Sequence, residues 1–85
     1  MLQLTRIILY VKTSCPYCAK VRIVAEELGV VFEERNIANT GVADELRLRG
    51  GKCQVPYLLD EKNGVGMYES SAIVEYLRKT YNTNE

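Results

Sequence analysis

Ile7-Ile8-Leu9-Tyr10-Val11 is a continuous apolar run rich in β-branched residues, and four residues beyond it stands Cys15-Pro16-Tyr17-Cys18. A run of this kind reads as a strand covered on both faces, in the middle of a sheet. From Pro16 the pattern changes to Val21, Val24, Ala25 and Leu28, an i, i+3, i+4, i+7 stripe with proline in the first turn and Gly29 just beyond it. That pattern predicts a helix over residues 16–28. A buried strand that delivers two cysteines to the start of a helix has three explanations: a redox dithiol, half of a metal site, or coincidence.

The rest of the chain supplies the partners for this unit. Residues 30–37 hold a second strand, half apolar and then charged, which suits a sheet edge. Asn39-Thr40 offers caps for a second helix carrying Val42, Ala43 and Leu46, ended by Gly50-Gly51. Residues 55–60 and 65–68 read as short strands around Glu61-Lys62-Asn63-Gly64, in which Asn63-Gly64 suits the positive φ angles of a tight antiparallel turn. Ser70-Ser71 caps a last helix that turns Ile73, Val74, Tyr76 and Leu77 toward the core, and residues 81–85 form a polar tail. The order is β-α-β-α-β-β-α. The first strand, helix and strand require a right-handed crossover with parallel pairing, and the hairpin requires antiparallel pairing. The expected fold is therefore α/β, a four-stranded mixed sheet flanked by three helices.

The 85 residues carry 11 basic and 11 acidic side chains, so no broad field draws nucleic acid or an anionic membrane, and neither is expected as a partner. The apolar run at 7–11 is far short of the ~20 residues of a membrane span, and no signal-peptide pattern is visible, which leads us to expect a cytoplasmic protein. Without repeats, low-complexity tracts or a linker, residues 1–85 read as a single domain, expected to act as a monomer. Three cysteines are an odd count, which argues against a secreted disulfide framework. Structural zinc needs about four Cys or His ligands. Here there is no histidine, and only Cys53 besides the pair, so no metal site is expected. The redox dithiol is the reading these residues favour.

Its chemistry follows from position. At the start of a helix Cys15 meets free backbone N–H groups and the positive end of the helix dipole, which favour a thiolate and make Cys15 the expected nucleophile. Cys18 lies one turn on, on the same face and less open to solvent, as a resolving thiol should. Activation has limits, because nucleophilicity falls with basicity along a slope of about 0.4–0.5, so a stabilised thiolate serves at least as much as a good leaving group. The dipole contributes only about 0.3–2 kcal/mol. Further stabilisation calls for N–H hydrogen bonds or a cation, and Lys12 is the candidate cation, although a solvated lysine at a strand end is an equally natural reading.

With these elements in place, the chain resembles the glutaredoxins, small thioredoxin-fold proteins that use glutathione. VKTSCPYC (residues 11–18) looks like their active-site segment, and QVPYLLDEKNGVGMYESSAIVEYLRKTY (residues 54–81) looks like their second half and, more closely, that of glutathione S-transferase N-terminal domains. The resemblance implies a glutathione-dependent thiol-disulfide oxidoreductase with glutathione as co-substrate and no tightly bound cofactor. Its partners would be disulfide-containing or glutathionylated proteins and, indirectly, glutathione reductase. It also implies a cis Val55-Pro56 bond facing the dithiol, with the Val55 backbone pairing to the tripeptide as a short antiparallel segment. Glu69 and Ser70 match the pair that contacts the γ-glutamyl group, carboxylate to ammonium and hydroxyl to carboxylate. Lys12 and Gln54 would hold the glycine carboxylate, and Tyr17 would line the groove between. Where many glutaredoxins carry Gly-Gly-x-Asp-Asp, this chain has GMYESS (residues 66–71). Cys53, just before Gln54, reads as a loop thiol near the site, with uptake of glutathione or cross-linking of two chains as its conditional alternative. Two rivals share the fold: a redoxin reduced by thioredoxin reductase, and a transferase-like module that holds glutathione or a shared iron-sulfur cluster without exchange.

Overall fold

The computed structural model describes residues 7–81. Its elements run β1 (Ile7–Val11), α1 (Pro16–Glu27), β2 (Glu33–Asn36), α2 (Val42–Gly50), β3 (Tyr57–Asp60), β4 (Val65–Met67) and α3 (Ser70–Tyr81). The sheet order is β2-β1-β3-β4. β1 pairs with β2 in parallel and with β3 antiparallel, and β3 pairs with β4 antiparallel. This is the four-stranded mixed sheet expected from the order of elements, and the thioredoxin-like fold that the resemblance implies. None of the described helices is long and apolar enough to cross a membrane.

All five residues of β1 are buried, and their alternation divides the core in two. Ile7, Leu9 and Val11 join Val21 and Ala25 of α1 and Ile73 and Leu77 of α3 on one face of the sheet. Ile8 and Tyr10 join Val42 and Leu46 of α2 and Tyr57 of β3 on the other. A strand interior to the sheet must be apolar on both sides, which is why its sequence is unbroken by charge. The α1 stripe is where the spacing puts it, with Val21, Val24 and Ala25 buried and Leu28 as the C-cap, partly buried.

Several boundaries differ from expectation. β2 begins at Glu33 rather than at residue 30, where its parallel ladder with β1 starts at Ile8↔Glu33. Val30 and Phe32 still pack against the core, and Val31 points to solvent. Asn39-Thr40 does not cap α2: the N-cap is Gly41 in the left-handed region (φ 84), without a side-chain bond, and the Asn39 carbonyl instead accepts from the Val42 N–H. Glycine takes that conformation without the Cβ clash that other residues meet.

In the hairpin turn only Gly64 has positive φ (68), while Asn63 works through its side chain and N–H, both bonded to Asp60. β3 begins at Tyr57, two residues later than expected, and β4 ends at Met67. Ser70 is the first residue of α3 rather than a cap before it, and the Glu69 carbonyl receives the Ile73 N–H. Tyr81 is not part of a polar tail: it closes α3 and packs on the core, and residues 82–85 lie outside the described part.

Candidate active site

β1 ends at Val11, and the chain turns through Ser14, a non-glycine residue at φ 63, to reach Cys15. Cys15 is the N-cap of α1, with extended backbone angles and its carbonyl accepting from the Ala19 N–H. Pro16 occupies the first helical turn, where its missing N–H leaves no bond unmade. The Cys15 sulfur accepts the backbone N–H of Cys18 at 3.2 Å, the capping position usually taken by a serine or aspartate oxygen. The sulfur thus has a backbone donor at the N-terminus of a helix, where N–H groups are otherwise free.

Cys18 differs in each respect. It is fully buried beneath Cys15, in the cluster shared by α1, β1 and α3. Its thiol is pushed up to about 11, by burial first and by its hydrogen bond to Cys15 second, with the Lys12 backbone and the Arg22 charge acting the other way. One helical turn thus presents a half-buried sulfur held by an N–H donor and a buried sulfur kept protonated. All three cysteines are free thiols.

Two adjoining cavities lie beside the start of α1, and Cys15 borders one of them. One, of about 460 Å³, has Lys12, Cys15, Ile37 and Cys53 in its walls, and the other, of about 350 Å³, has Pro56, Glu69 and Ser70. Tyr17, Gln54 and Val55 line both, joining them into one groove. The groove thus brings together Lys12, Cys15, Tyr17, Gln54, Val55, Pro56, Glu69 and Ser70, and Cys18 is the one expected site residue that stays behind it in the core. A lysine ammonium stands toward one end, and a glutamate carboxylate with the N-terminus of α3 stands at the other.

The Val55-Pro56 peptide bond is cis and immediately precedes β3, which carries Tyr57 to Asp60 alongside β1. Glu69 holds φ 74, an uncommon angle for a residue with a Cβ, just ahead of α3. This turn places the Glu69 side chain in the cavity wall beside Ser70.

The sequence did not single out several contributors. Ser14, Pro16 and Ile37 line the groove, and no periodicity or motif marks Ile37, which reaches the site from beyond the edge strand. Tyr68 supports the site from outside it: its hydroxyl donates to the Lys52 carbonyl at 2.6 Å and accepts the Lys52 N–H at 3.2 Å, tying down the loop that carries Cys53 and Gln54. Its ring packs 4.5 Å from that of Tyr57. Cys53 does stand in the groove wall, in the loop position expected of it. Among the described residues, no three His, Cys, Asp or Glu side chains gather as a metal ion would require.

Residues 9–85 match the family described as glutathione S-transferase, N-terminal domain. The chain is 35% identical over 63 residues to glutaredoxin 1 of Rickettsia felis, an alignment covering 71% of this chain and 62% of that protein. It is 30% identical over 59 residues to glutaredoxin 3 of Escherichia coli, covering 68% and 71% respectively. Among solved structures, the glutathione transferase URE2P6 from Phanerochaete chrysosporium in complex with oxidized glutathione superposes with a TM-score of 0.78 at 30% identity. That superposition covers 95% of this chain and 39% of the transferase.

Proposed function

The chain belongs to the glutathione S-transferase N-terminal domain family of the thioredoxin-like superfamily, and from that premise we propose that it is a glutathione-dependent thiol-disulfide oxidoreductase of glutaredoxin type. The observation that carries the reading is the pairing of a Cys15 sulfur capped by the Cys18 N–H with a groove that runs past it from Lys12 to Glu69 and Ser70. A transferase domain without exchange chemistry has no need of a second thiol directly beneath the first.

Glutathione would lie in the groove with its sulfur at Cys15, its central backbone against Val55, its γ-glutamyl end at Glu69 and Ser70, and its glycine carboxylate toward Lys12 and Gln54. Zwitterion and carboxylate thus meet groups of opposite charge at each end. In the reaction, the Cys15 thiolate attacks the glutathione sulfur of a mixed disulfide. The Cys15–glutathione bond forms, the client–glutathione bond breaks, and the client sulfur leaves with the electron pair and takes up a proton. A second glutathione thiolate then attacks the Cys15-bound glutathione sulfur, releasing oxidised glutathione and restoring Cys15.

With a protein disulfide, Cys15 instead forms a mixed disulfide with one client sulfur. Cys18 loses its proton and attacks the Cys15 sulfur, and two glutathione molecules reduce the resulting Cys15–Cys18 disulfide. We place this cycle in the cytoplasm, with glutathione reductase and NADPH as the electron source.

The test is a glutathione-coupled disulfide reduction assay on the two single-cysteine variants. Cys15→Ser is expected to abolish reduction of a small glutathionylated substrate, and Cys18→Ser to retain much of it while losing reduction of protein disulfides. Equal activity without Cys15 would sink the mechanism. Turnover with thioredoxin reductase alone, in the absence of glutathione, would assign the electrons to the other source.

A further inference from the structure

Cys15 opens on a second side. Along α1 it borders an adjoining cavity of about 370 Å³ that shares Lys12, Ser14, Cys15 and Pro16 with the groove and adds Ala19 and Arg22. Cys15, Ala19 and Arg22 follow at i, i+4 and i+7, so they form one line down the helix, with only a methyl group between the sulfur and the guanidinium. The lining holds two cations and, among the described residues, no carboxylate. Lys12 also borders the glutathione groove, whereas Arg22 lies in this cavity alone of the two.

Arg22 is held by Glu34 of β2, with Nε at 2.7 Å and Nη2 at 2.6 Å from the same carboxylate oxygen. The two side chains are 37% and 40% exposed, so the pair contributes little to stability. A guanidinium carries five donors, and two of them face Glu34, so it can take a second carboxylate without losing the first.

We propose that this cavity receives the client side of the exchange, and that Arg22 selects clients carrying an aspartate or glutamate about three residues from the reacting cysteine. The proposal rests on the glutathione-dependent reading above. With the tripeptide in the groove toward Val55, the other half of the disulfide must lie on the side that glutathione leaves open. When Cys15 bonds to the glutathione sulfur, the client sulfur departs as a thiolate and is protonated, so the client's own chain has to rest against the protein at that moment. Seven residues of helix separate Cys15 from Arg22, an axial distance of about 10 Å. An extended peptide covers that length in about three residues at roughly 3.3 Å each. This sets the spacing.

The test uses short peptides, each with one glutathionylated cysteine and one glutamate placed one to six residues away on either side, each matched by a peptide with glutamine there. The ratio of kcat/KM for the glutamate peptide over its glutamine match is expected to peak at a spacing of about three, at roughly three- to fivefold, as suits an exposed ion pair. It should fall to one in Arg22→Ala, drop below one in Arg22→Glu, rise in Glu34→Gln, and shrink as ionic strength increases. A ratio of one at every spacing, in protein that turns over the glutamine peptides, overturns the subsite and leaves the glutathione reading standing. A preference that persists in Arg22→Ala overturns the assignment to Arg22. Failure to turn over any glutathionylated peptide removes the reading beneath both.

Discussion

Cys18 donates its backbone N–H to the sulfur of Cys15 at 3.2 Å while its own side chain is sealed in the core. The same residue therefore donates to one sulfur through its main chain and offers a second, protonated sulfur through its side chain. In the proposed cycle that asymmetry has the accessible Cys15 attack first, with the buried Cys18 thiol waiting for a covalent intermediate.

The first prediction concerns pH. In the free protein the Cys18 thiol is pushed up to about 11, by burial and then by its bond to Cys15. Once Cys15 is tied up in a mixed disulfide, burial remains as the largest raising effect, so Cys18 stays mostly protonated near neutrality. Single-turnover resolution of a protein mixed disulfide is expected to rise about tenfold per pH unit between roughly pH 7 and 8.5, tracking the thiolate fraction. A profile flat over that range, measured by acid quench, would contradict it.

Tyr68→Phe tests the support of the groove. Removing the hydroxyl releases both the N–H and the carbonyl of Lys52 to solvent, at a cost of about 1 kcal/mol. The loop bearing Cys53 and Gln54 loses its tie to the end of β4. We expect KM for glutathione to rise about three- to tenfold with kcat nearly unchanged, the pattern of weakened ground-state binding, as steady-state kinetics will show.

At the far end of β3, the fully buried carboxylate of Asp60 accepts from Tyr76 at 2.6 Å, Tyr81 at 2.5 Å and the Asn63 amide at 2.9 Å. Burial alone raises its pKa, but the two tyrosine hydroxyls and Asn63 outweigh burial and hold it below the ordinary aspartate value. A carboxyl depressed in the folded state contributes stability that is present above the unfolded pKa of about 3.9 and is lost as pH falls through the folded value. Asp60→Asn is expected to lose about 1–3 kcal/mol at pH 7 and to lack that acid-dependent loss below roughly pH 4. Urea unfolding of both proteins as a function of pH provides the comparison.

α2 is fastened by a polar contact as much as by its two buried residues, Val42 and Leu46. Glu45 accepts the Tyr10 hydroxyl on one oxygen and the Arg35 guanidinium at 2.7 Å on the other. These bonds, Tyr10 first, hold the Glu45 carboxyl below its usual range, while burial and the same bond push Tyr10 up to about 12. Tyr10→Phe should cost about 1 kcal/mol, and Glu45→Ala about 1–3 kcal/mol, because the latter leaves the buried Tyr10 hydroxyl without its acceptor, while the partly exposed Arg35 keeps Glu33. Amide hydrogen exchange in α2 should quicken more than in α1. Uniform acceleration across the protein would mean that the contact is not local.

Local elements were legible where one face of the chain carries a strong pattern. The β1 run, the α1 stripe and the glycines beyond α1 and α2 each report short-range physics: burial on both faces, a period of 3.6, and positive φ. Boundaries were legible only where the determinant is itself local. The start of β2 is set by its ladder with β1, and Gly41 rather than Asn39 is the N-cap of α2, in a left-handed conformation. Tyr81 looked like the start of a polar tail because nothing near it in the sequence announces Asp60, its partner 21 residues away. Arg22 passed unremarked as a charge on a helix surface, since the cavity it borders exists only once the turn from Lys12 to Cys15 is folded against α1.

The order of amino acids determined by itself that a buried strand hands two thiols to a helix start, because hydrophobic alternation and helix capping act within a few residues. Only the tertiary structure decided what stands opposite them. Val55, some forty residues from Cys15, and Glu69 beyond it reach the groove through the register of β3 against β1 and the turn ahead of α3. Those distances are set by packing of the whole sheet, and no local pattern encodes them.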